Sequence, residues 1–245
     1  MIVSEDQTND PAQRIFCALD TIDIDHAVSL ARELSGIVGG VKLGLEFFMR
    51  HGQAGYNLVA KTGVPIFLDL KFYDIPNTVA GAIRSVMPLA PKIMTIHTQG
   101  GPDMMRRAAD TAREESEKLS VPQPWIAGVT ILTSLDGDDL KAMGISDPLT
   151  DQVARLAGLA NQYGLDGMVC SPKEIGIARA ATKSDFKLIV PGIRPAGAAI
   201  GDQKRVMTPR DAVDAGADIL VIGRPITGAD NPAQMARAIA ESLKA

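Results

Sequence analysis

Short aliphatic runs recur along the chain, and each is followed by a polar or Gly/Pro-rich break and a longer amphipathic segment. The runs predict eight strands: Ile15–Leu19, Gly40–Leu43, Ile66–Leu70, Ile93–His97, Ile126–Leu132, Gly167–Cys170, Leu188–Pro191 and Ile219–Ile222. The segments between them predict helices, including Asp25–Leu34, Val79–Leu89, Pro102–Leu119, Thr150–Tyr163, Lys173–Ala181, Pro209–Ala215 and Pro232–Lys244. Prolines mark several of the helix starts.

The alternation of strands and helices predicts parallel βα units. The count of strands favours a single (β/α)8 TIM barrel over an open doubly wound sheet, and a chain of 245 residues fits one such α/β domain. Residues 18–23, at the end of the first strand and just after it, contain no glycine, which argues against a dinucleotide-binding turn. We expect residues 1–13 to form a polar N-terminal extension and residues 14–245 to form the catalytic barrel.

Charge and composition exclude several classes of protein. The net charge is −4 and no long run of Lys or Arg occurs, which disfavours nucleic acid and anionic membrane surfaces as partners. No apolar stretch reaches the roughly 18 residues of a membrane span. The acidic, polar start does not resemble a signal or transit peptide, so we expect a cytoplasmic protein. Cys17 and Cys170 lie within apolar runs and are predicted to be buried reduced thiols.

Three charged residues occur at the end of the third predicted strand and just after it, although the strand is otherwise apolar. Asp69 and Lys71 are two positions apart, so on a strand their side chains project from the same face. Asp74 follows in a loop that can bring it back toward Lys71. A lysine between two carboxylates is biased toward its charged form and is a candidate proton donor. An ordinary ion pair is the alternative, but charges leaving a buried strand favour a catalytic site.

The active site of a (β/α)8 barrel forms at the carboxyl ends of its strands. Polar or glycine residues occur at each of these ends in the predicted barrel. They predict one pocket with carboxylates and lysines on one side and arginines on the other. The residues are Asp20, Lys42, Asp69, Lys71, His97, Thr130, Thr133, Ser134, Ser171, Arg194, Gly223 and Arg224.

The last two strand ends suit a phosphate group. Loops after strands 7 and 8 of such barrels often bind phosphate through backbone N–H groups. Arg194 and Arg224 add bidentate donors. The Gly/Ala-rich segment 195–203 is predicted to close over a ligand, with Gln203 reaching in. The alternative for Arg194 is a surface side chain on a flexible loop.

A metal site is the competing interpretation. The three histidines, His26, His51 and His97, show no paired ligand spacing. His97 together with Asp69 could hold a cation, but a packed barrel histidine is the favoured interpretation. No Gly-x-Ser-x-Gly or other nucleophile motif occurs.

The run Asp69-x-Lys71-x-x-Asp74-Ile75-Pro76-Asn77-Thr78 resembles that of the orotidine 5′-phosphate decarboxylase family. Further motifs follow the same order: Ala18-Leu19-Asp20, Val41-Lys42-Leu43-Gly44, Leu132-Thr133-Ser134, Pro191-Gly192-Ile193-Arg194 and Gly201-Asp202-Gln203. The resemblance covers Arg14 to Leu243 and is greatest to the short bacterial type. It implies decarboxylation of orotidine 5′-phosphate to UMP and CO2, the last step of de novo UMP biosynthesis, without metal or organic cofactor.

The resemblance also implies a role for each motif residue. Lys71 protonates C6, and Asp69 lies near the departing carboxylate and orients Lys71. Asp74, with Ile75 and Thr78, comes from the other subunit of a homodimer. Substrate contacts are implied for Asp20 and Lys42 (ribose hydroxyls), Thr133 with Ser134 adjacent (pyrimidine), and Arg194, Gln203, Gly223 and Arg224 (phosphate end).

Two other functions are the alternatives. A related phosphate-sugar decarboxylase or aldolase would need Mg2+ held by acidic residues, and Lys42 beside Asp20 argues against such a cluster. A catalytically silent phosphate-binding barrel is the second, and the charged set of Asp69, Lys71 and Asp74 argues against it.

Overall fold

The computed structural model describes residues 10–195 and 207–244. Within them, eight parallel strands pair in sequence order, and the first also pairs with the last, which closes a barrel. The strands are β1 (Ile15–Ala18), β2 (Gly40–Gly44), β3 (Ile66–Phe72), β4 (Ile93–His97), β5 (Trp125–Val129), β6 (Gly167–Val169), β7 (Lys187–Val190) and β8 (Ile219–Ile222). The predicted TIM barrel is confirmed.

Helices connect the strands and surround the barrel. They are α1 (Ile24–Leu34), α2 (Leu45–Ala60), α3 (Pro76–Val86), α4 (Gly101–Leu119), α5 (Gly137–Ala142), α6 (Leu149–Gln162), α7 (Ile175–Ala180), α8 (Pro209–Asp214), α9 (Arg224–Thr227) and α10 (Pro232–Glu241). Short 3-10 helices cover Pro11–Arg14, Met87–Leu89, Thr98–Gly100 and Pro172–Glu174. Among the longer helices, α2 is the one for which no bounds were predicted from the sequence.

Local sequence explains where several helices begin. Side chains at these positions accept hydrogen bonds from N–H groups that helical geometry leaves unpaired. Asp23 caps α1 in this way, Thr208 caps α8 and Asn231 caps α10. Proline follows in the first turn of α3, α8 and α10, where its missing N–H costs no hydrogen bond.

Apolar side chains fill both the barrel interior and the space between sheet and helices. The interior cluster contains Phe16, Ala18, Phe67, Ile93, Ala127, Ile189, Ile219 and Val221. A larger cluster joins the outer faces of the strands to the helices. Cys17 and Cys170 are free and buried, as predicted, and burial raises the pKa of both thiols. Such thiols pack as small apolar groups.

The end of the predicted N-terminal extension lies at the amino-terminal ends of the barrel strands. Residues 1–9 lie outside the described part of the chain, whereas Pro11–Arg14 packs against the barrel. Arg14 Nη1 donates a hydrogen bond to the carbonyl of Ala217 at 3.1 Å, and Gly39 N–H donates to the carbonyl of Ala12 at 2.9 Å. None of the helices in the described ranges is both long and apolar enough for a membrane span.

Candidate active site

A cavity of about 300 Å³ opens at the carboxyl ends of the strands. Its polar lining consists of Asp20, Lys42, Asp69, Lys71, Thr133, Arg194 and Arg224. Its other walls are formed by Ala18, Phe67, Val129, Ile131, Leu132, Val169, Cys170, Pro191, Gly192, Val221 and Gly223. Parallel strands deliver their carboxyl ends to one rim, so residues distant in sequence meet there.

Four charged side chains alternate in sign along one wall of the cavity. Lys42 Nζ lies 3.2 Å from Asp20 Oδ1 and 3.6 Å from Asp69 Oδ2. Lys71 Nζ lies 2.8 Å from Asp69 Oδ1. Lys42 therefore lies between two carboxylates, and Asp69 lies between two ammonium groups. From the sequence we had predicted that Lys71, and not Lys42, lies between two carboxylates.

The charge of Asp69 depends on these neighbours. Burial favours the neutral acid, but the charges of Lys42 and Lys71 and hydrogen bonds from Lys71 and Thr95 outweigh it. The net effect is a pKa for Asp69 below its ordinary value. Asp69 is thus an ionised carboxylate with a side chain only 12% exposed, and it fixes a negative charge beside the cavity.

Lys71, the next-to-last residue of β3, has an unusual backbone conformation. Its φ is 52°, in the left-handed region that residues other than glycine rarely adopt. The pairing of β3 with β4 shifts register between Leu68 and Phe72. We predicted the contact between Asp69 and Lys71 from regular strand geometry, but β3 contains a bulge at these residues. The contact itself is present.

Two arginines line the cavity from the segments after β7 and β8. Gly192, with a φ of 79°, turns the chain after β7, and Arg194 N–H then donates to the carbonyl of Met207 at 3.0 Å. Partial burial and the nearby charge of Arg224 lower the pKa of Arg194. Like charges held close together in one cavity are typical of an anion site, and guanidinium groups match phosphate in geometry.

Comparison with known proteins identifies the family to which this site belongs. The profile of the Orotidine 5'-phosphate decarboxylase / HUMPS family matches residues 13–239. The chain belongs to this family. The matched range includes every residue of the cavity described above.

Individual members of the decarboxylase family are similar over nearly the whole chain. A protein from Rhodospirillum rubrum named orotidine 5′-phosphate decarboxylase is 52% identical over 94% of this chain and 93% of the relative. A protein of the same name from Moorella thermoacetica is 47% identical over 94% of this chain and 92% of the relative. The crystal structure of orotidine 5′-phosphate decarboxylase from Lactobacillus acidophilus has a TM-score of 0.82 at 32% identity, covering 94% of this chain and 99% of its own.

Most residues that the resemblance to the decarboxylase family marked lie together in the cavity. They are Asp20, Lys42, Asp69, Lys71, Thr133, Arg194, Gly223 and Arg224. Ser134 is exposed and absent from the lining, so Thr133 is the member of that pair that faces the cavity. Gln203 lies outside the described residues, as does most of the predicted closing segment.

Asp74, Ile75 and Thr78 lie outside the cavity of their own chain. Asp74 Oδ1 accepts a hydrogen bond from the N–H of Ile75 at 2.7 Å. Among the described residues, Lys71 forms its ion pair with Asp69 and none with Asp74. The expectation that the loop returns Asp74 to Lys71 is therefore wrong for a single chain. Ile75 is instead 67% exposed, and the neighbouring Tyr73 is 58% exposed.

His97 packs against an aromatic side chain, as the packed interpretation predicts. Its ring lies 5.5 Å from the ring of Tyr73, measured between centroids. Burial, followed by the charge of Lys71, lowers its pKa although Asp69 acts in the opposite direction. Across residues 10–195 and 207–244, no three His, Cys, Asp or Glu side chains form a group suited to hold a metal ion.

Sequence reasoning missed Thr95, whose buried hydroxyl contacts both Asp69 and Lys71. A signal was available, since Thr95 is the single polar residue within the run Ile93-Met94-Thr95-Ile96. A polar side chain in the middle of a buried strand needs a hydrogen-bond partner nearby.

Proposed function

We propose that this chain converts orotidine 5′-phosphate to UMP and CO2, the last step of UMP biosynthesis. The observation that carries the proposal is the 2.8 Å pair of Lys71 and Asp69 in a cavity also lined by Arg194 and Arg224. This arrangement combines a proton donor, a fixed negative charge and groups that bind phosphate. The names of the relatives support the same substrate.

Lys71 is the proposed proton donor. Decarboxylation breaks the bond between C6 and the carboxylate and leaves the electron pair on C6, where the ring offers no strong electron sink. An ammonium group fixed beside C6 stabilises this developing charge, and a proton then passes from Lys71 Nζ to C6. The products are CO2 and UMP, and the lysine regains its proton from water. The step is balanced without an oxidant or a reductant.

Asp69 has two proposed tasks. Its 2.8 Å contact with Lys71 orients the ammonium group toward the reacting carbon. Its negative charge also lies beside the carboxylate of the bound substrate, and this repulsion disappears as neutral CO2 leaves. An interaction that is unfavourable in the ground state and relieved in the transition state accelerates the chemical step.

The remaining cavity residues are proposed to bind parts of the substrate that do not react. Asp20 and Lys42 hold the ribose hydroxyls, and Thr133 contacts the pyrimidine. The phosphate end is held by Arg194, Gln203, Gly223 and Arg224. Binding energy from a phosphate far from C6 can orient the ring over Lys71, because interactions with remote groups restrict the bound substrate to a reactive geometry.

We propose that the reaction needs no metal or organic cofactor. A Mg2+-dependent relative would use carboxylate oxygens as ligands. In this cavity Asp69 already contacts two lysines and Asp20 contacts one of them. A divalent cation at these oxygens would be repelled by both ammonium groups.

We propose a homodimer in which Asp74, Ile75 and Thr78 complete the active site of the partner. The position of Asp74 outside its own cavity and the exposure of Ile75 support this assignment. Across the interface, Asp74 would supply the second carboxylate beside Lys71 that the sequence predicted. A cytoplasmic location stays a prediction.

The test is to follow the absorbance of orotidine 5′-phosphate with and without EDTA. We expect conversion to UMP at the same rate in both samples. Loss of the reaction in EDTA would show that it needs a divalent cation and would overturn the proposal that no metal is required. Binding of UMP without any turnover of orotidine 5′-phosphate would favour the silent phosphate-binding barrel.

A further inference from the structure

The bulge in β3 places several residues opposite a single position of β4. Leu68 pairs with Met94, and Phe72 pairs with Ile96. Residues 69–71 therefore lie opposite Thr95 alone. Two of these residues, Asp69 and Lys71, carry the proposed chemistry, so Thr95 is the part of β4 that faces both of them.

The hydroxyl group of Thr95 uses its donor and its acceptor on these two residues. Its Oγ1 accepts a hydrogen bond from the backbone N–H of Lys71 at 2.9 Å and donates one to Asp69 Oδ1 at 2.9 Å. Oδ1 is also the oxygen that contacts Lys71 Nζ. Thr95 is fully buried and is not among the residues that line the cavity. It therefore acts on other side chains rather than on a substrate.

These contacts hold a conformation that the local chain does not favour. Lys71 has a φ of 52°, and its N–H points to a side chain where a regular ladder would offer a carbonyl. Without the hydroxyl, the Lys71 N–H would lose its hydrogen-bond acceptor, and the Asp69 carboxylate would lose one of its hydrogen bonds. The bulge and the carboxylate would then be free to rearrange together.

We propose that Thr95 is a positioning residue that fixes the backbone of Lys71 and the carboxylate of Asp69 in mutual register. The assignment rests on the proposed function of Lys71 as the proton donor. Because the Thr95 hydroxyl bonds the main chain at Lys71 and the oxygen that binds Lys71 Nζ, it holds both ends of that side chain. Its removal displaces the ammonium group from C6 and leaves the groups proposed to bind phosphate in place.

The test compares Thr95→Val, which keeps the shape but removes the hydroxyl, with Thr95→Ser, which keeps the hydroxyl. Thr111→Val is the matched control, since Thr111 is equally buried and its hydroxyl donates to the Arg107 carbonyl of its own helix. We expect kcat to fall by roughly 10–100-fold in Thr95→Val with KM changed less than about threefold. Thr95→Ser should retain at least roughly a third of wild-type kcat, and Thr111→Val should match wild type.

Unchanged kcat in folded Thr95→Val would overturn the proposal. If Thr95→Val does not fold, Thr95→Ser and Thr95→Ala decide, because equal losses of kcat in both would assign the effect to packing of the methyl group. A second readout is independent of turnover: carbon NMR of the Asp69 carboxyl group should show a higher pKa in Thr95→Val than in wild type. An unchanged Asp69 pKa in Thr95→Val would contradict the role of Thr95, whether or not the protein decarboxylates orotidine 5′-phosphate. A wild-type protein that does not decarboxylate orotidine 5′-phosphate would instead reject the proposed function.

Discussion

Lys42 Nζ lies 3.6 Å from Asp69 Oδ2, the carboxylate oxygen that Lys71 does not contact. The carboxylate is therefore held from both sides, and neither oxygen is free to rotate away from the cavity wall without losing a charged partner. Lys42 is itself held by Asp20. This chain of contacts explains how a buried negative charge persists beside a cavity whose proposed ligand is also an anion.

Replacing Asp69 by Asn should destabilise the protein in a pH-dependent way. The pKa of Asp69 is lower in the folded state than its ordinary value, so its contribution to stability is fully present above that ordinary value, about 4. It is lost as pH falls through the folded pKa. We expect Asp69→Asn to lower the free energy of unfolding at pH 7 by about 1–3 kcal/mol.

Urea denaturation of both proteins between neutral pH and about pH 3 measures this difference. The difference between wild type and Asp69→Asn should shrink on acidification. Asp103→Asn is the control, because Asp103 forms an exposed pair with Arg106 and should contribute little at any pH. A difference for Asp69→Asn that grows as pH falls would show that burial rather than the lysines controls this carboxylate.

Replacing Arg224 by Ala should weaken recognition of the phosphate. A hydrogen bond to a charged group contributes about 1.5–3 kcal/mol, so loss of a bidentate contact should lower kcat/KM for orotidine 5′-phosphate by roughly 100-fold or more. Turnover of orotidine, which lacks the phosphate, should change little. Arg106→Ala, at an exposed pair with Asp103, is the control and should leave both substrates unaffected. Equal losses on the two substrates would make Arg224 structural.

Mixing two inactive proteins tests the assembly. In an equimolar mixture of Lys71→Ala and Asp74→Ala, random exchange of subunits should make half of the dimers hybrid. Each hybrid contains one site with both native residues, so activity should return to about a quarter of wild type. Mass spectrometry can verify that subunits have exchanged. No recovery after verified exchange would assign Asp74 to the site of its own chain.

Most of the fold could be predicted because strand periodicity and helix caps are local signals. β5 ends at Val129 and not at Leu132, because Ile131 and Leu132 continue the apolar run in the sequence although the chain has already left the sheet at Thr130. No bounds were predicted for helix α2, which contains two glycines and is kinked at Gly52, where φ is 56°. Burial of Phe47, Tyr56 and Val59 against the barrel stabilises it, and that packing is not visible in local sequence.

The site was predictable where it depends on strand ends and less so where it depends on tertiary contacts. The positions of Asp20, Lys42 and Arg224 follow from the barrel rule. The left-handed backbone of Lys71 does not, because no glycine marks it and its partner Thr95 lies on the next strand. Asp74 could not be placed from one chain if its site belongs to a second copy.

The most direct measurement of the central claim is the decarboxylation rate of Lys71→Ala, compared with the affinity of the same variant for UMP. If Lys71 protonates C6, turnover of orotidine 5′-phosphate should fall by roughly 1,000-fold or more, while calorimetry should show UMP affinity within about tenfold of wild type. Lys141→Ala, at an exposed pair with Asp138, should keep full activity. A Lys71→Ala protein that retains more than about a tenth of wild-type turnover would contradict the assignment of Lys71 as the proton donor.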